Sequence, residues 1–471
     1  MIRRVWIAIF VLAVTSLAIV AYRGINLELE TADRVASVVS GLVALISLAV
    51  TLRSRRIVHP KAMETSVEQP ESWPADPAVR REWEDWRTTR LRLNDWRAVL
   101  ARAVAGLYDP SYRIGDTGLI ASPAWRLAEP LALDSVALVI DENVRRPSIT
   151  GQRGQADLAL PRSSSVEWFH RYSSVLKEID RPKHLDNRRS WRLLDVVLSD
   201  SPYASFGTAT YFEALDVCES VAHEAARIFN VEGSSGIRAD MALSDLPLRC
   251  LIDDPFDLRQ RVAIPAISTL VIRNDRRCPT CILHWRDPKK VAIAGNTHQA
   301  IPSGAFQPSS QSAQAEQVDF DLWRNIMREY AEELLGRIDN DGDGPPADYS
   351  THPFRQLDAA KADGRIRVYL LGFALDALTL WSEILTVVVL EPDIFDELTP
   401  RLAEIGTHTL PQNQEGVKVK VIPFDKGAVK RMLREGTVAP AGAGCLSLAM
   451  KHRTMLLGHG PHRPKTGRPG A

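Results

Sequence analysis

The chain has 471 residues, 45% of them hydrophobic and 25% charged, which fits a folded protein too long for one ordinary domain. Its 58 basic and 58 acidic residues give a formal net charge of zero, so we expect no nucleic-acid partner on electrostatic grounds. The five cysteines are few and scattered. This argues against a disulfide scaffold and fits a reducing compartment.

Two uncharged segments of 18 residues each lie near the N-terminus, at residues 5–22 and 35–52. Each approaches the roughly 20 residues that cross a bilayer as a helix. A signal peptide or buried core helices are the alternatives. The first segment, however, lacks a small-residue cleavage site, and a second apolar segment follows closely. We therefore predict a transmembrane helical hairpin over residues 1–56.

The charges that flank this hairpin predict its orientation. The outer flanks carry Arg3, Arg4, Arg53, Arg55, Arg56 and Lys61. The connector between the segments has two arginines and three acidic residues. The positive-inside rule then places both termini in the cytoplasm. We expect a multi-pass protein of the cell membrane, with the lipid bilayer as a partner and the rest of the chain in the cytosol.

After a Pro-, Glu- and Ser-rich linker over residues 57–77, the spacing predicts an amphipathic helix over residues 78–108. Asp76 is placed to cap this helix and Pro77 to occupy its first position. Its tryptophans and arginines suggest two alternatives. The helix either lies on lipid headgroups or buries its tryptophans in a docking or dimerisation contact. We favour the second, because acidic residues dilute the basic face.

Residues 109–264 form a mixed α/β region whose role the sequence does not give. Two strand-like segments and an amphipathic helix over residues 211–230 are predicted there. This helix contains Asp216, Ser220 and His223, but no nucleophile elbow is present, so a catalytic triad is not predicted. His223 is expected to be a half-buried helix residue.

Residues 265–457 alternate strands and helices, which predicts an α/β (α+β) domain on a mixed sheet flanked by helices. Four segments have the β-branched and aliphatic composition of strands: ISTLVIRND, CILHWRD, VYLLGFALDAL and EILTVVVLE. A helix is predicted over residues 323–335 and a final one over 442–457. Residues 458–471 form a Gly- and Pro-rich basic tail, which is expected to be disordered.

Three glutamates, Glu329, Glu332 and Glu333, lie within five residues of the helix over 323–335. They occupy an arc about 100° wide beside an apolar stripe formed by Trp323, Met327, Tyr330 and Leu334. Such an arc is commonly a charged solvent face, on which Arg328 would pair with Glu332. Alternatively, the like-charged pair Glu329 and Glu333 is stabilised by a divalent cation, since Mg²⁺ needs only one or two carboxylates plus substrate phosphates.

Upstream of this helix, residues 301–310 make the chain resemble the Nudix hydrolase family. The signature of that family is a glycine, five residues, a glutamate, seven residues, and then Arg-Glu-aliphatic-x-Glu-Glu-x-Gly. Gly304 matches the opening glycine, and Arg328, Glu329, Glu332 and Glu333 match Arg-Glu-x-x-Glu-Glu. The strands before Gly304 also resemble the family's lead-in, so the resemblance covers about residues 267–395.

The signature is degenerate in its loop. Ser310 stands where the first glutamate belongs, and 17 residues instead of seven separate it from Arg328. Gln307 stands where many members have a further glutamate, and Gly336 comes one residue late. The inserted segment holds three acids that would be replacement ligands: Glu316, Asp319 and Asp321.

The resemblance implies a hydrolase that cleaves a nucleoside-diphosphate-linked substrate with Mg²⁺ or Mn²⁺. The metal ligands would be Glu329, Glu332 and Glu333, Arg328 would orient a glutamate, and Gly304 would contact the substrate. The alternative is a catalytically degenerate sensor or scaffold module that binds a nucleotide at the membrane. Either way the expected small-molecule partner is derived from a nucleotide, while the oligomeric state is left open.

Two weaker motifs remain. DNDGDG at residues 339–344 matches the opening of a calcium-binding EF-hand loop, but Ser350 stands at the position of its bidentate glutamate. A polar turn is the simpler interpretation. Cys278 and Cys281 form a lone C-x-x-C pair without a second ligand pair, so a turn with two ordinary thiols is favoured over zinc binding or redox chemistry.

Overall fold

The computed structural model describes residues 70, 72–182, 185–229, 241–286, 297–336, 345–399 and 418–458. All of them belong to one unit that begins at Pro60. The predicted transmembrane hairpin, the motif at 339–344 and the tail after Gly458 lie outside the described residues. Among the helices that the structure does describe, none is both long and apolar enough to cross a bilayer.

Eleven α-helices are described within these ranges. They are α1 Pro77–Ala105, α2 Tyr172–Ile179, α3 Tyr211–Ile228, α4 Pro247–Ile252, α5 Ala313–Val318, α6 Leu322–Glu333, α7 Phe354–Ala362, α8 Pro392–Leu398, α9 Lys426–Glu435, α10 Pro440–Lys451 and α11 Arg453–Leu457.

Twelve β-strands are described in the same part of the chain. They are β1 Leu119–Ile120, β2 Arg126–Ala132, β3 Ala137–Ile140, β4 Arg189–Val197, β5 Tyr203–Thr210, β6 Pro265–Arg273, β7 Thr280–Arg286, β8 Thr297–Ala300, β9 Ser303–Ala305, β10 Ile366–Asp376, β11 Ser382–Leu390 and β12 Lys418–Pro423.

A mixed sheet of nine strands organises the C-terminal half. Its main order is β1-β10-β11-β6-β7-β12, with β2 on β10, β8 on β7 and β9 on β6. Strands β11 and β6 are parallel, and the other pairs of this sheet are antiparallel. Strand β11 is buried along its whole length, as expected for a strand covered on both faces.

The two faces of this sheet carry different helices. On one face α10 approaches closely enough that the Cys445 thiol contacts the carbonyl of Ser268 on β6 at 3.3 Å. The neighbouring residue Ile267 pairs with Gly304 on β9, and a Cβ built on Gly304 would overlap the Glu329 side chain of α6. Because adjacent strand residues point to opposite faces, α6 lies on the face opposite α10.

A second sheet of three strands has the order β3-β5-β4. Helices α1, α2 and α3 pack against one another, and α3 follows directly on β5 through a capping box between Thr210 and Glu213. Trp83 and Trp86 of α1 are only 3% and 4% exposed. These two tryptophans are therefore buried within this protein's own core, which removes them from contact with lipid headgroups, while Trp96 of the same helix is half-buried.

The coarse fold prediction is confirmed: the chain is a mixed α/β protein whose mixed sheet is flanked by helices. The four strand-like segments are β6, β7, β10 and β11, and α1 begins at Pro77 with Asp76 accepting from the amide of Ala78 at 2.8 Å. The final predicted helix is divided into α10 and α11. Strands β1 and β2, from the region assigned to residues 109–264, join the nine-stranded sheet.

Candidate functional site

Helix α6 carries the three predicted glutamates near its C-terminal end. It begins after Asp321, whose side chain accepts from the amide of Arg324 at 2.9 Å. The apolar stripe packs into the core, with Trp323, Met327 and Tyr330 all buried. The three glutamates on the adjoining arc are half-buried.

Two of these glutamates lie against β9. The Glu329 carboxylate occupies the space where a side chain at Gly304 would begin. One turn later, the Glu333 carboxylate accepts from the amide of Ser303 at 2.9 Å. The structure thus brings Gly304 together with Glu329 and Glu333, while Glu332 shares their helical turn. Only glycine at position 304 leaves room for Glu329 in this position.

Arg328 is placed differently from the simplest expectation. Arg328 is only 3% exposed, whereas an arginine on the charged solvent face of the helix would have an exposed side chain. Its guanidinium donates to the carbonyl of Gln307 at 2.7 Å and to Oδ1 of Asn325 at 2.9 Å. Arg328 therefore ties α6 to the loop that follows β9.

At the two loop positions that lack signature glutamates, the side chains contact uncharged groups. Ser310, at the position of the first missing glutamate, is buried with its hydroxyl 3.0 Å from that of Ser312. Gln307 accepts from the hydroxyl of Ser190 at 3.4 Å through its side-chain oxygen. The inserted residues form α5, and the side chain of Ser312 caps this helix.

Each of the three inserted acids has a structural partner. Glu316 forms an ion pair with Arg189. The carboxylate of Asp319 is buried and accepts from the amide and hydroxyl of Ser309, at 2.7 and 2.6 Å, and from the hydroxyl of Tyr349 at 2.6 Å. Asp321 caps α6. These contacts explain the three acids without a metal ion.

A divalent metal bound at α6 would take its protein ligands from the three glutamate carboxylates. Across the described ranges, no three His, Cys, Asp or Glu side chains are grouped so that they could hold a metal ion. Mg²⁺ at a nucleotide site typically uses one or two carboxylates together with phosphate oxygens. Glu329, Glu332 and Glu333 could supply that smaller set, so the residues fit a metal that arrives with a phosphorylated substrate.

A second carboxylate pair, Asp376 and Glu383, lies on the α10 face of the sheet. Glu383 accepts from the hydroxyl of Ser268 at 3.1 Å. Burial, together with the nearby Asp376 carboxylate, raises the pKa of Glu383 well above its usual range. Burial therefore favours the neutral form of the Glu383 carboxyl, and the sheet separates this residue from α6.

A cleft of about 590 Å³, which no sequence pattern predicts, lies away from α6. It is bordered by α1, α3 and the segment from Arg153 to Trp168. His223 lines it and is 2% exposed, so the expectation that this residue is half-buried is wrong. The physical reason is that Trp86 stacks on one face of the imidazole, with ring centroids 5.1 Å apart, while Tyr172 meets its edge.

The C-x-x-C pair is divided between two environments. Cys278 is exposed, whereas Cys281 is buried in β7, and burial raises the pKa of the Cys281 thiol. All five cysteines of the chain are free. These observations agree with a turn that carries two ordinary thiols.

The chain was compared with known protein families and with curated proteins. No family model matches it, and no curated protein matches it. The resemblance to Nudix hydrolases therefore depends on the residues of the degenerate signature and of the strands before it.

Proposed function

We propose that this protein is a membrane-anchored, cytosolic, Nudix-like hydrolase that cleaves a nucleoside-diphosphate-linked substrate with Mg²⁺ or Mn²⁺. The observation that carries the proposal is the packing of Glu329 over Gly304. These two residues are 25 positions apart, and a helix-forming insertion lies between them. The glycine of β9 and the first glutamate of the Glu-x-x-Glu-Glu helix both belong to the degenerate signature, and the structure brings them into contact.

The surrounding contacts support the same proposal. Glu333 is oriented by the amide of Ser303, and Arg328 fixes α6 to the loop carbonyl of Gln307. Both contacts hold the glutamates at one edge of β9. Preorganised carboxylates of this kind are what a phosphate-bound cation requires from the protein.

In this proposal the α6 carboxylates hold the cation and accept a proton. Bound Mg²⁺ or Mn²⁺ would neutralise phosphate charge and lower the pKa of a coordinated water. One α6 carboxylate takes the proton of the attacking water as general base. A new P–O bond forms from that water, the bond to the bridging oxygen breaks, and the leaving phosphate carries the electron pair.

The test is a screen of nucleoside-diphosphate compounds with the full-length protein in mild detergent, with and without Mg²⁺ or Mn²⁺. We expect metal-dependent release of a phosphorylated product, detected by chromatography. Glu332→Gln and Glu333→Gln should each lower turnover by about 10²- to 10⁴-fold if one holds the metal and another acts as base. Glu316→Gln is the matched control, because that carboxylate pairs with Arg189.

A second candidate is a module that binds a nucleotide diphosphate without hydrolysing it. Ser310 favours this candidate, because it replaces a signature glutamate and is buried against Ser312. In the same screen, metal-dependent binding without product would support the second candidate and reject the first. Equal turnover in the parent protein and both glutamine variants would reject both hydrolysis and nucleotide binding by the α6 glutamates.

A further inference from the structure

We propose that the cleft between α1 and α3 is a binding site for a small organic anion, a carboxylate or phosphate attached to a flat or apolar body. This proposal is independent of the α6 site, which lies on other elements. The cleft has a volume of about 590 Å³, within the range of roughly 300–1,000 Å³ that small-molecule sites occupy.

The buried imidazole of His223 lines this cleft, and its hydrogen bond identifies which ring nitrogen carries the proton. The Tyr172 hydroxyl lies 3.1 Å from Nδ1 of His223, which is the one hydrogen bond of either side chain within the described residues. Tyr172 is fully buried, so its hydroxyl proton needs an acceptor, and Nδ1 is the acceptor in reach. Nδ1 is then unprotonated, and the proton of the neutral imidazole is on Nε2.

The charge state of His223 agrees with this assignment. Burial, followed by the positive charges of Arg90 and Arg227, lowers the pKa of His223 to about 3. The ring is therefore neutral at pH 7, with Nε2–H as a donor that has no protein acceptor in the described part of the chain. A donor without a protein acceptor, on a ring that lines a cleft, favours a ligand that supplies the acceptor.

Two arginines of the cleft have N–H groups beyond those used in their hydrogen bonds to the protein. Arg92 donates to the carbonyl of Ala226 at 3.3 Å, and Arg227 donates to that of Leu158 at 3.0 Å. Neither forms an ion pair with any described residue, and each guanidinium has five N–H groups. Two guanidinium groups and one imidazole N–H form a set of donors, which matches a carboxylate or phosphate.

The acidic residues of the cleft do not cancel this positive charge. Glu82 is bound to Arg162 at 2.8 Å, and Asp157 is bound to Arg153 at 3.2 Å. Asp85 is exposed on α1 and is the remaining acid of the lining. Arg162 lies outside the lining but neutralises Glu82, so Arg92 and Arg227 face Asp85 as the one acid without an ion pair, and one net positive charge remains.

The rest of the lining is apolar and aromatic, formed by Trp86, Leu158, Leu160, Pro161 and Trp168. Trp168 is 40% exposed, and the guanidinium of Arg153 lies 3.7 Å from its ring centroid. This Arg–Trp stack and the apolar wall suit a flat or hydrocarbon body beside the anionic group.

The experiment is calorimetric titration of the full-length protein with three probes: inorganic phosphate, benzoate and AMP. EDTA is present throughout, which suppresses any metal-dependent binding at α6. We expect saturable binding of benzoate and AMP, and weaker binding of phosphate, which lacks the flat body. Arg92→Gln and Arg227→Gln should each weaken binding by about tenfold or more, because each removes a charged hydrogen-bond donor.

Arg80→Gln is the matched control, since Arg80 is exposed on α1 and does not line the cleft. The thermal midpoint of each variant is measured beside the titration to show that it is folded. Absence of saturable binding for all three probes would overturn the proposal. So would equal affinity in the parent, Arg92→Gln and Arg227→Gln, or an equal loss in Arg80→Gln. Failure of the hydrolysis assay at α6 would not affect this result.

Discussion

Glu219 is a carboxylate of α3 that lies in the protein interior between Arg90 and Arg97 of α1. It forms an ion pair with Arg90 and another, at 3.0 Å, with Arg97. Burial alone would raise the pKa of Glu219, but the two guanidinium groups outweigh it and lower the pKa to about 2. All three side chains are buried, so each depends on the others for its charge balance.

We expect Glu219→Gln to lower the free energy of unfolding by about 3–5 kcal/mol at pH 7, because it leaves two buried arginines without their partner. The folded pKa of about 2 lies below the ordinary value of 4.5. The contribution of the ionised carboxylate is therefore full above pH 4.5 and is lost as the pH falls toward 2. Urea unfolding of parent and variant in detergent between pH 7 and pH 3 measures this difference.

The difference between parent and Glu219→Gln should shrink below about pH 5. Glu435→Gln is the control, because Glu435 is an exposed residue near the end of α9. A stability difference that stays constant from pH 7 to pH 3 would show that folding does not lower the pKa of this carboxylate.

Gly304 is the other residue whose identity has a direct geometric reason. A Cβ at this position would overlap the Glu329 carboxylate, so Gly304→Ala must displace that side chain from β9. We expect only about 1 kcal/mol of lost stability, because Glu329 is half-buried and can rotate away. If the proposed metal site is correct, Mn²⁺ affinity in the presence of a nucleoside diphosphate should fall by about tenfold or more.

Electron paramagnetic resonance of free Mn²⁺ measures that affinity. Ser303→Ala is the control, because it keeps the backbone amide that Glu333 accepts from. Unchanged Mn²⁺ affinity in Gly304→Ala would mean that Glu329 is not a ligand. It would leave open a site that uses Glu332 and Glu333.

At the scale of single elements, helix α6 has a capping acid at its N-terminus and the candidate metal ligands near its C-terminus. Asp321 caps its N-terminus, and Glu333 is its last residue. With a rise of about 1.5 Å per residue, these two positions are about 18 Å apart along the axis. One cation therefore cannot be bound by both ends of the helix.

We expect Asp321→Ala to lower the free energy of unfolding by about 1 kcal/mol through loss of the cap, with Mn²⁺ affinity unchanged. Asp321→Asn should retain most of the stability, since asparagine caps helices about equally well. Thermal unfolding and the Mn²⁺ titration are measured on the same samples. A loss of Mn²⁺ affinity in Asp321→Asn would instead identify Asp321 as a ligand.

Elements with a strong local pattern could be predicted from the sequence, and elements defined by pairing could not. Helix α1 has an apolar stripe and a capping residue, and β11 is rich in β-branched and aliphatic residues, so both have local signals. Strand β1 is two residues long, and β2 is mostly exposed or half-buried. These two strands exist because β10 offers them unpaired backbone groups, which is information from distant parts of the chain.

At the scale of the whole molecule, the described residues belong to one unit that starts at Pro60. The predicted hairpin precedes this unit. We expect a chain of residues 60–471 to fold with a thermal midpoint within a few degrees of the parent and to stay in the supernatant when membranes are sedimented. The full-length protein should sediment with membranes and resist extraction at high salt.

The same fractionation also tests the predicted topology. Protease added to right-side-out vesicles should leave the part of the chain after residue 56 intact, because the positive-inside rule places it in the cytoplasm. Full-length protein in the supernatant, or cleavage of this part from outside, would contradict the predicted anchor or its orientation.

The sequence by itself determined the balance of charge, the secondary structure of the long elements, and the spacing of three glutamates on one helical face. These are local properties, since hydrophobic periodicity and capping act over a few residues. Only the tertiary structure decided that Glu329 lies over Gly304, that Arg328 is buried against the loop, and that His223 lines a cleft. Those facts depend on contacts between residues far apart in sequence, and burial then determines which charged and polar groups find partners.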